Sequence, residues 1–198
     1  MNFNEKGMMR MYTTWEELER ACRACEKCQL CQTRTNLVFG MGNRDAKVMF
    51  IGEGPGENED LQGLPFVGRS GQLLDKMLDA VDLNRNDHIY IANIVKCRPP
   101  QNRDPLPEEQ DCCIDWLRNQ VALIKPKIIV CLGRVAALRI IKPDMKITKE
   151  HGIFFEKNGT LMMATLHPAA LLRNPSNKPA AFEDFLKLRA KMEELGLV

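Results

Sequence analysis

Cys22, Cys25, Cys28 and Cys31 recur at every third position, and Cys97 and Cys113 follow in the middle of the chain. Thiols clustered in this way read as metal or iron–sulfur ligands where a compartment keeps them reduced. Met1 to Tyr12 carry Asn, Glu, Lys and Arg with no apolar stretch like that of a secretion signal, so a soluble, cytoplasmic protein is expected. No apolar run reaches the ~20 residues that span a bilayer, and no membrane partner is expected. The N-terminal run alone resembles a ferredoxin set, but that pattern has a wider last gap and a trailing proline, whereas Gln32 follows here. Zinc is the other ion that four thiolates suit.

Three further segments hold residue types that do chemistry. Gly52-Glu53-Gly54-Pro55-Gly56 lets a backbone approach a ligand closely, yet lacks the Gly-Lys-Ser/Thr of a phosphate loop and the spacing of a dinucleotide fingerprint. Asn93 precedes Lys96-Cys97-Arg98-Pro99-Pro100, and its amide offers an acceptor and two donors suited to a base edge. His167-Pro168-Ala169-Ala170-Leu171-Leu172-Arg173 sets an imidazole beside leucines and a cation. In such a loop a leucine can wedge a duplex while the arginine holds a phosphate. The net charge of +2 gives no dominant attraction to nucleic acid. Local clusters matter more: Lys96, Arg98 and Arg103 in one Pro-rich loop, and Arg173 with Lys178 in another, could reach phosphates.

The elements that must position these residues alternate along the chain. Apolar runs over Lys47–Gly52, His88–Val95, Lys127–Gly133 and Thr160–Leu166 read as buried strands. Helical patterns fall between them. Ser70 is placed to cap one with Leu73, Leu74, Met77, Leu78 and Val81 on its face, and Pro107 to open another that runs to about Leu123. Gly133 to Ile140 suggests a short helix, and Lys178 to Leu195 a long one with Phe182, Phe185, Leu188, Met192 and Leu195 inward. The expected fold is an α/β three-layer sandwich: a central four-stranded parallel sheet with helices on both faces. Ligands then gather at the carboxyl ends of the strands, where all three segments lie. One domain is expected over residues 14–198. Residues 1–13, with four methionines, are expected to be a disordered tail or in part an upstream start.

Taken together, Gly52–Gly56 with Glu59-Asp60, then Pro65–Leu74, Asn93–Pro100 and His167–Arg173 resemble, in order, the motifs of the family-4 uracil-DNA glycosylases. The resemblance implies a monofunctional DNA-repair enzyme that flips uracil out of DNA and hydrolyses its glycosidic bond, leaving an abasic site. It implies a [4Fe–4S] cluster on Cys25, Cys28, Cys97 and Cys113. Cys113 is favoured over Cys112 because it shares an apolar helix face with Leu117, Val121 and Ile124. By the same resemblance Phe66 stacks on the base, Asn93 bonds its edge and Glu59 excludes the thymine methyl. His167 meets the carbonyl O2 as charge develops, and Glu53 aids water or the sugar cation. Gly54 stands where family-1 enzymes carry an aspartate, so no general base is evident. Leu171, Arg173, Arg98 and Arg103 are the DNA-contacting set, the partner is uracil-containing DNA, single- or double-stranded, and a monomer is expected. The competing reading is a non-catalytic iron–sulfur accessory protein bound to DNA or a polymerase, which would need the cysteines but neither Phe66 nor His167.

Overall fold

The computed structural model describes residues 10–198. In chain order its elements are α1 (Trp15–Arg23), β1 (Met41–Gly42), β2 (Val48–Gly52), α2 (Glu57–Gln62), α3 (Arg69–Asp79) and β3 (Ile89–Asn93). There follow α4 (Pro107–Ile124), β4 (Ile128–Leu132), α5 (Arg134–Ile140), α6 (Ile147–Glu150), β5 (Phe154–Lys157), β6 (Thr160–Thr165), α7 (Pro168–Arg173) and α8 (Lys178–Glu194). The sheet runs β1-β3-β2-β4-β6-β5. Its centre, β3-β2-β4-β6, is the parallel four-strand core expected from the apolar runs.

Two antiparallel strands extend that core, so the sheet is mixed and six-stranded. β1 has only two residues, too short for any periodic signal. β5 turns into β6 through Asn158-Gly159, both at positive φ (52° and 76°), the Asn-Gly pairing that a tight hairpin favours. Residues along β2, β3 and β4 are buried on both sides, which is why they read as unbroken apolar runs. Met49, Ile51, Ala92, Ile129 and Cys131 face a core shared with α1 and α4. Val48, Phe50, Ile89, Ile91 and Val130 face the core of α3, α7 and α8.

Four expectations are corrected. Ser70 does not cap α3; Gly68 holds the N-cap position, and Ser70 lies within the first turn. Leu195 falls past the end of α8 and is exposed, while Phe185, Leu188 and Met192 are buried. The segment His167–Arg173 is not an open loop: Pro168 starts the short helix α7, which suits its fixed φ and missing N–H. The expected tail is ordered from Arg10 onward: the Tyr12 N–H donates to Asn119 Oδ1 at 3.0 Å and its ring lies 5.9 Å from Trp116. Residues 1–9 of that tail lie outside the described residues. Among the described residues no helix is long and apolar enough to cross a membrane.

Candidate active site and cysteine pocket

The carboxyl ends of β2 and β3 lie side by side, with Gly52 in register with Asn93. A Cβ on Gly52 would come 2.4 Å from Asn93 Oδ1 and 2.8 Å from the Phe66 ring. Glycine is therefore the residue that fits between the amide and the aromatic face. Asn93 is buried, and its Oδ1 has no hydrogen-bond partner. A buried acceptor left unpaired costs ~1–3 kcal/mol unless a ligand supplies the donor. Asn93 is thus an acceptor waiting for an N–H.

Phe66 itself is held in a costly backbone conformation. Its φ of 53° is left-handed, unusual for a bulky residue. Arg85 braces it: Nη2 donates to the Phe66 carbonyl at 3.0 Å, Nη1 to the Pro65 carbonyl at 3.3 Å, and Nε to Asp75 at 2.7 Å. Gly71 lets the Phe66 carbonyl pass, since a Cβ there would sit 1.8 Å from that oxygen. Glu59 Oε1 accepts from the N–H groups of Val67 and Gly68 at 2.9 and 2.8 Å, fixing the chain just after the ring. A Cβ on Gly56 would crowd the other Glu59 oxygen at 2.7 Å.

His167 meets this group from the end of β6. Its ring centroid lies 5.8 Å from that of Phe66 at an interplanar angle of 32°. Nδ1 accepts from the Ala169 N–H at 3.1 Å, as the cap of α7. A nitrogen that accepts carries no proton, so in the neutral ring the proton stays on Nε2, which becomes a donor. Burial, aided by the nearby Arg173 charge, pushes the imidazolium pKa down to about 4, against a smaller opposite pull from Glu59. His167 is therefore a neutral N–H donor at neutral pH. Gly133 (φ 89°) makes room for it, as a Cβ there would meet the His167 Cβ at 2.8 Å.

Glu53 follows β2 on the same edge. Burial and the adjacent Asp104 carboxylate, which repels the charged form and can accept from the protonated one, raise its pKa to about 7, against the pull of Arg134 and Arg173. Arg134 in turn pairs with Asp104. Asp104 and Arg134 are not singled out by the sequence, because neither belongs to a motif; Arg134 alone follows directly on an expected strand end. At Gly54 a Cβ would press on Val95 at 2.7 Å, so the site has no room for an aspartate there.

The DNA-contacting set divides. Arg173 is exposed at the end of α7 and makes no salt bridge among the described residues. Leu171 is only 1% exposed and packs in the core with Phe185 and Leu188, so it is not available as a wedge; Leu172 is the partly exposed neighbour. The helical turn of α7 causes this, because it rotates consecutive residues onto different faces. Arg103 is committed to Glu109, donating to both carboxylate oxygens at 2.9 and 2.6 Å, where Glu109 also accepts the Leu106 N–H. Arg98 donates to Asn102 Oδ1 at 2.8 Å and keeps partial exposure. Lys96, expected to reach phosphates, is wholly buried.

On the other side of the Asn93–Cys97 segment, Cys25, Cys28, Cys97 and Cys113 line one small cavity, with Cys31 and Cys112 also on its wall. Cys22 is not part of this lining; it is fully buried on the inward face of α1. The N-terminal run by itself is therefore split between two environments. Three of the four sulfurs receive an N–H. Trp116 Nε1 donates to Cys25 at 3.3 Å, Arg34 Nη1 to Cys97 at 3.2 Å, and the Lys96 N–H to Cys113 at 3.2 Å. At Cys28 the nearby Leu30 main-chain N–H pulls the thiol pKa down, against the larger upward push of burial. Burial pushes the Cys97 and Cys113 thiols up, so a thiolate there needs a nearby positive charge or metal. Among the described residues no three His, Cys, Asp or Glu side chains are grouped for a single ion.

Comparison with known proteins agrees with this geometry. Residues 39–189 match the family model of the Uracil DNA glycosylase superfamily. The chain is 44% identical over 165 residues to a Type-4 uracil-DNA glycosylase of Archaeoglobus fulgidus, covering 79% of this chain and 82% of the other. It is 44% identical over 167 residues to one of Thermotoga maritima, covering 82% and 86%. A Type-5 uracil-DNA glycosylase of Pyrobaculum aerophilum is 31% identical over 146 residues, covering 66% and 64%.

Proposed function

The chain belongs to the uracil-DNA glycosylase superfamily, and from that premise we propose that it excises uracil from DNA as a monofunctional glycosylase, leaving an abasic site. The observation that carries this reading is the meeting of Asn93 and Phe66 at Gly52, with His167 against Phe66 and the Asn93 acceptor unpaired. A base inside a duplex cannot reach such a site, so it must be flipped into it. There Phe66 stacks on the ring, and Asn93 accepts from N3–H and donates to O4. Cytosine presents the opposite pattern and would leave buried groups unpaired, which gives strong rejection. Glu59, tied to the loop that carries Phe66, limits the space beside C5.

As the glycosidic bond breaks, negative charge gathers on uracil O2 and positive charge on the sugar. The His167 Nε2–H stabilises the first, a contribution of ~3 kcal/mol for comparable donors. Glu53, as a carboxylate, stabilises the second and orients water, with Gly54 offering only main-chain groups beside it. Arg173 grips a phosphate, with Arg98 as a secondary contact. Leu172, rather than Leu171, is the side chain on α7 left to enter the gap in the stack. The enzyme works on this reading as a monomer.

Cys25, Cys28, Cys97 and Cys113 are the residues that would hold a [4Fe–4S] cluster. The N–H donated to Cys25, Cys97 and Cys113 supports this set, since such bonds stabilise ligated thiolates. A four-iron cube also spreads its ligands more widely than one ion does, in keeping with the absence of a single-ion grouping among the described residues. When bound, the cluster supplies a cross-link between the segment after α1, the Pro-rich loop and α4, not chemistry at the sugar.

The decisive assay incubates a labelled uracil-containing oligonucleotide with the protein and then with alkali. Strand cleavage confined to the uracil substrate, and absent with thymine or without alkali, is the expected result. No cleavage of the uracil strand would leave the accessory-protein reading in its place.

A further inference from the structure

We infer that Lys96 is a positioning residue that ties the cysteine pocket to the amide that reads uracil; the inference rests on the glycosylase reading above. Lys96 is fully buried, which is expensive for an ammonium unless its protons are met. Nζ donates to the Asn93 carbonyl oxygen at 3.1 Å and to Gln120 Oε1 at 2.7 Å. The orientation of Gln120 is fixed in turn, because its Nε2 donates to the Phe39 carbonyl at 2.9 Å. The main-chain N–H of Lys96 donates to Cys113 Sγ, and the next residue is Cys97. One residue thus touches a candidate ligand with its backbone and Asn93 with its side chain.

The sheet explains why Asn93 needs this strut. Main-chain groups of successive strand residues point to opposite neighbours. The Ile94 N–H goes to the Gly52 carbonyl at 2.9 Å, so the Asn93 carbonyl faces the β1 side. β1 pairs only with Ile91 and Tyr90 and has ended before Asn93 is reached. Lys96 Nζ takes the place of the missing strand. Without it, an unpaired buried carbonyl would sit in the peptide that sets the direction of the Asn93 amide.

The test compares wild type, Lys96→Met, Asn93→Ala and the double variant. Iron content and visible absorption report the cysteine pocket. Equilibrium binding to an oligonucleotide carrying non-hydrolysable 2′-fluoro-2′-deoxyuridine, against a thymidine control, reports base reading. Lys96→Met is expected to retain iron and to lose roughly tenfold in uracil preference, the scale of a charged hydrogen bond. It is expected to add nothing further in the Asn93→Ala background. An unchanged preference, or an equal loss in both backgrounds, overturns the inference. Should Lys96→Met not fold, Gln120→Leu removes the other end of the strut; a smaller loss, again absent beside Asn93→Ala, supports the inference, and an additive loss overturns it. Uracil release by the wild type, measured first, tests the glycosylase reading separately.

Discussion

At the level of single side chains, two ionisable groups give the site its pH behaviour. Glu53, with its pKa raised to about 7, has to lose its proton to stabilise a sugar cation. Single-turnover excision should therefore rise as pH climbs through about 7, and Glu53→Gln should flatten that limb at a low rate. His167, with its pKa lowered to about 4, should contribute no limb near neutrality. Replacing it with Ala should slow turnover by roughly 10²–10³-fold with a much smaller change in DNA affinity. The same shifts act on stability with opposite signs. A lowered histidine favours folding above its ordinary value of 6.5, and that contribution fades as pH falls toward 4. A raised glutamate withdraws stability as pH rises from 4.5 to about 7. Thermal melts across this range, with His167→Asn as the control, should lose the acid-side slope in the variant. Arg85 offers a different test. Arg85→Met should release the strained Phe66 peptide and weaken binding to 2′-fluorouridine DNA about tenfold, while an unchanged affinity would show that the ring needs no brace.

At the level of elements, α7 separates two leucines that look alike in the sequence. Leu171→Ala should cost about 2–5 kcal/mol of stability, since it empties part of the core beside Phe185. Leu172→Ala should cost about 1 kcal/mol or less yet reduce excision from duplex DNA. Urea melts paired with activity on double- and single-stranded substrates distinguish the two; the reverse pattern would restore Leu171 as the wedge. Three of the four central strands were legible because burial on both faces leaves continuous apolar runs, and β6 was legible from its Leu-Met-Met-Ala stretch. The edges were not: β1 is too short to carry a pattern, and β5 exposes half of its residues. The Asn-Gly turn before β6 was the one overlooked signal. α7 escaped notice because its six residues are too few for helical periodicity to register. The motif residues Asn93, Phe66 and His167 could be placed from resemblance, whereas Asp104, Arg134, Arg85 and Lys96 could not. Their roles arise from contacts across the fold, and no local spacing encodes those.

At the level of the whole molecule, the two cores meet at the sheet, and one short segment, Asn93–Cys97, carries Asn93 of the candidate site at one end and Cys97 of the cysteine pocket at the other. Replacing Cys25 with Ala should remove iron and loosen the segment between α1 and β1. Limited proteolysis should then cut there well before it reaches the α3–α8 side, and a uniform digestion pattern would argue against a stapling role. The pocket also draws its sulfurs from distant parts of the chain, Cys25 and Cys28 near the start and Cys97 and Cys113 in the middle. A ribosome must therefore make α4 before all four can be gathered. If the pocket holds the proposed cluster, its loading follows translation of the central helix, leaving the first helix to await an anchor that the nascent chain does not yet possess.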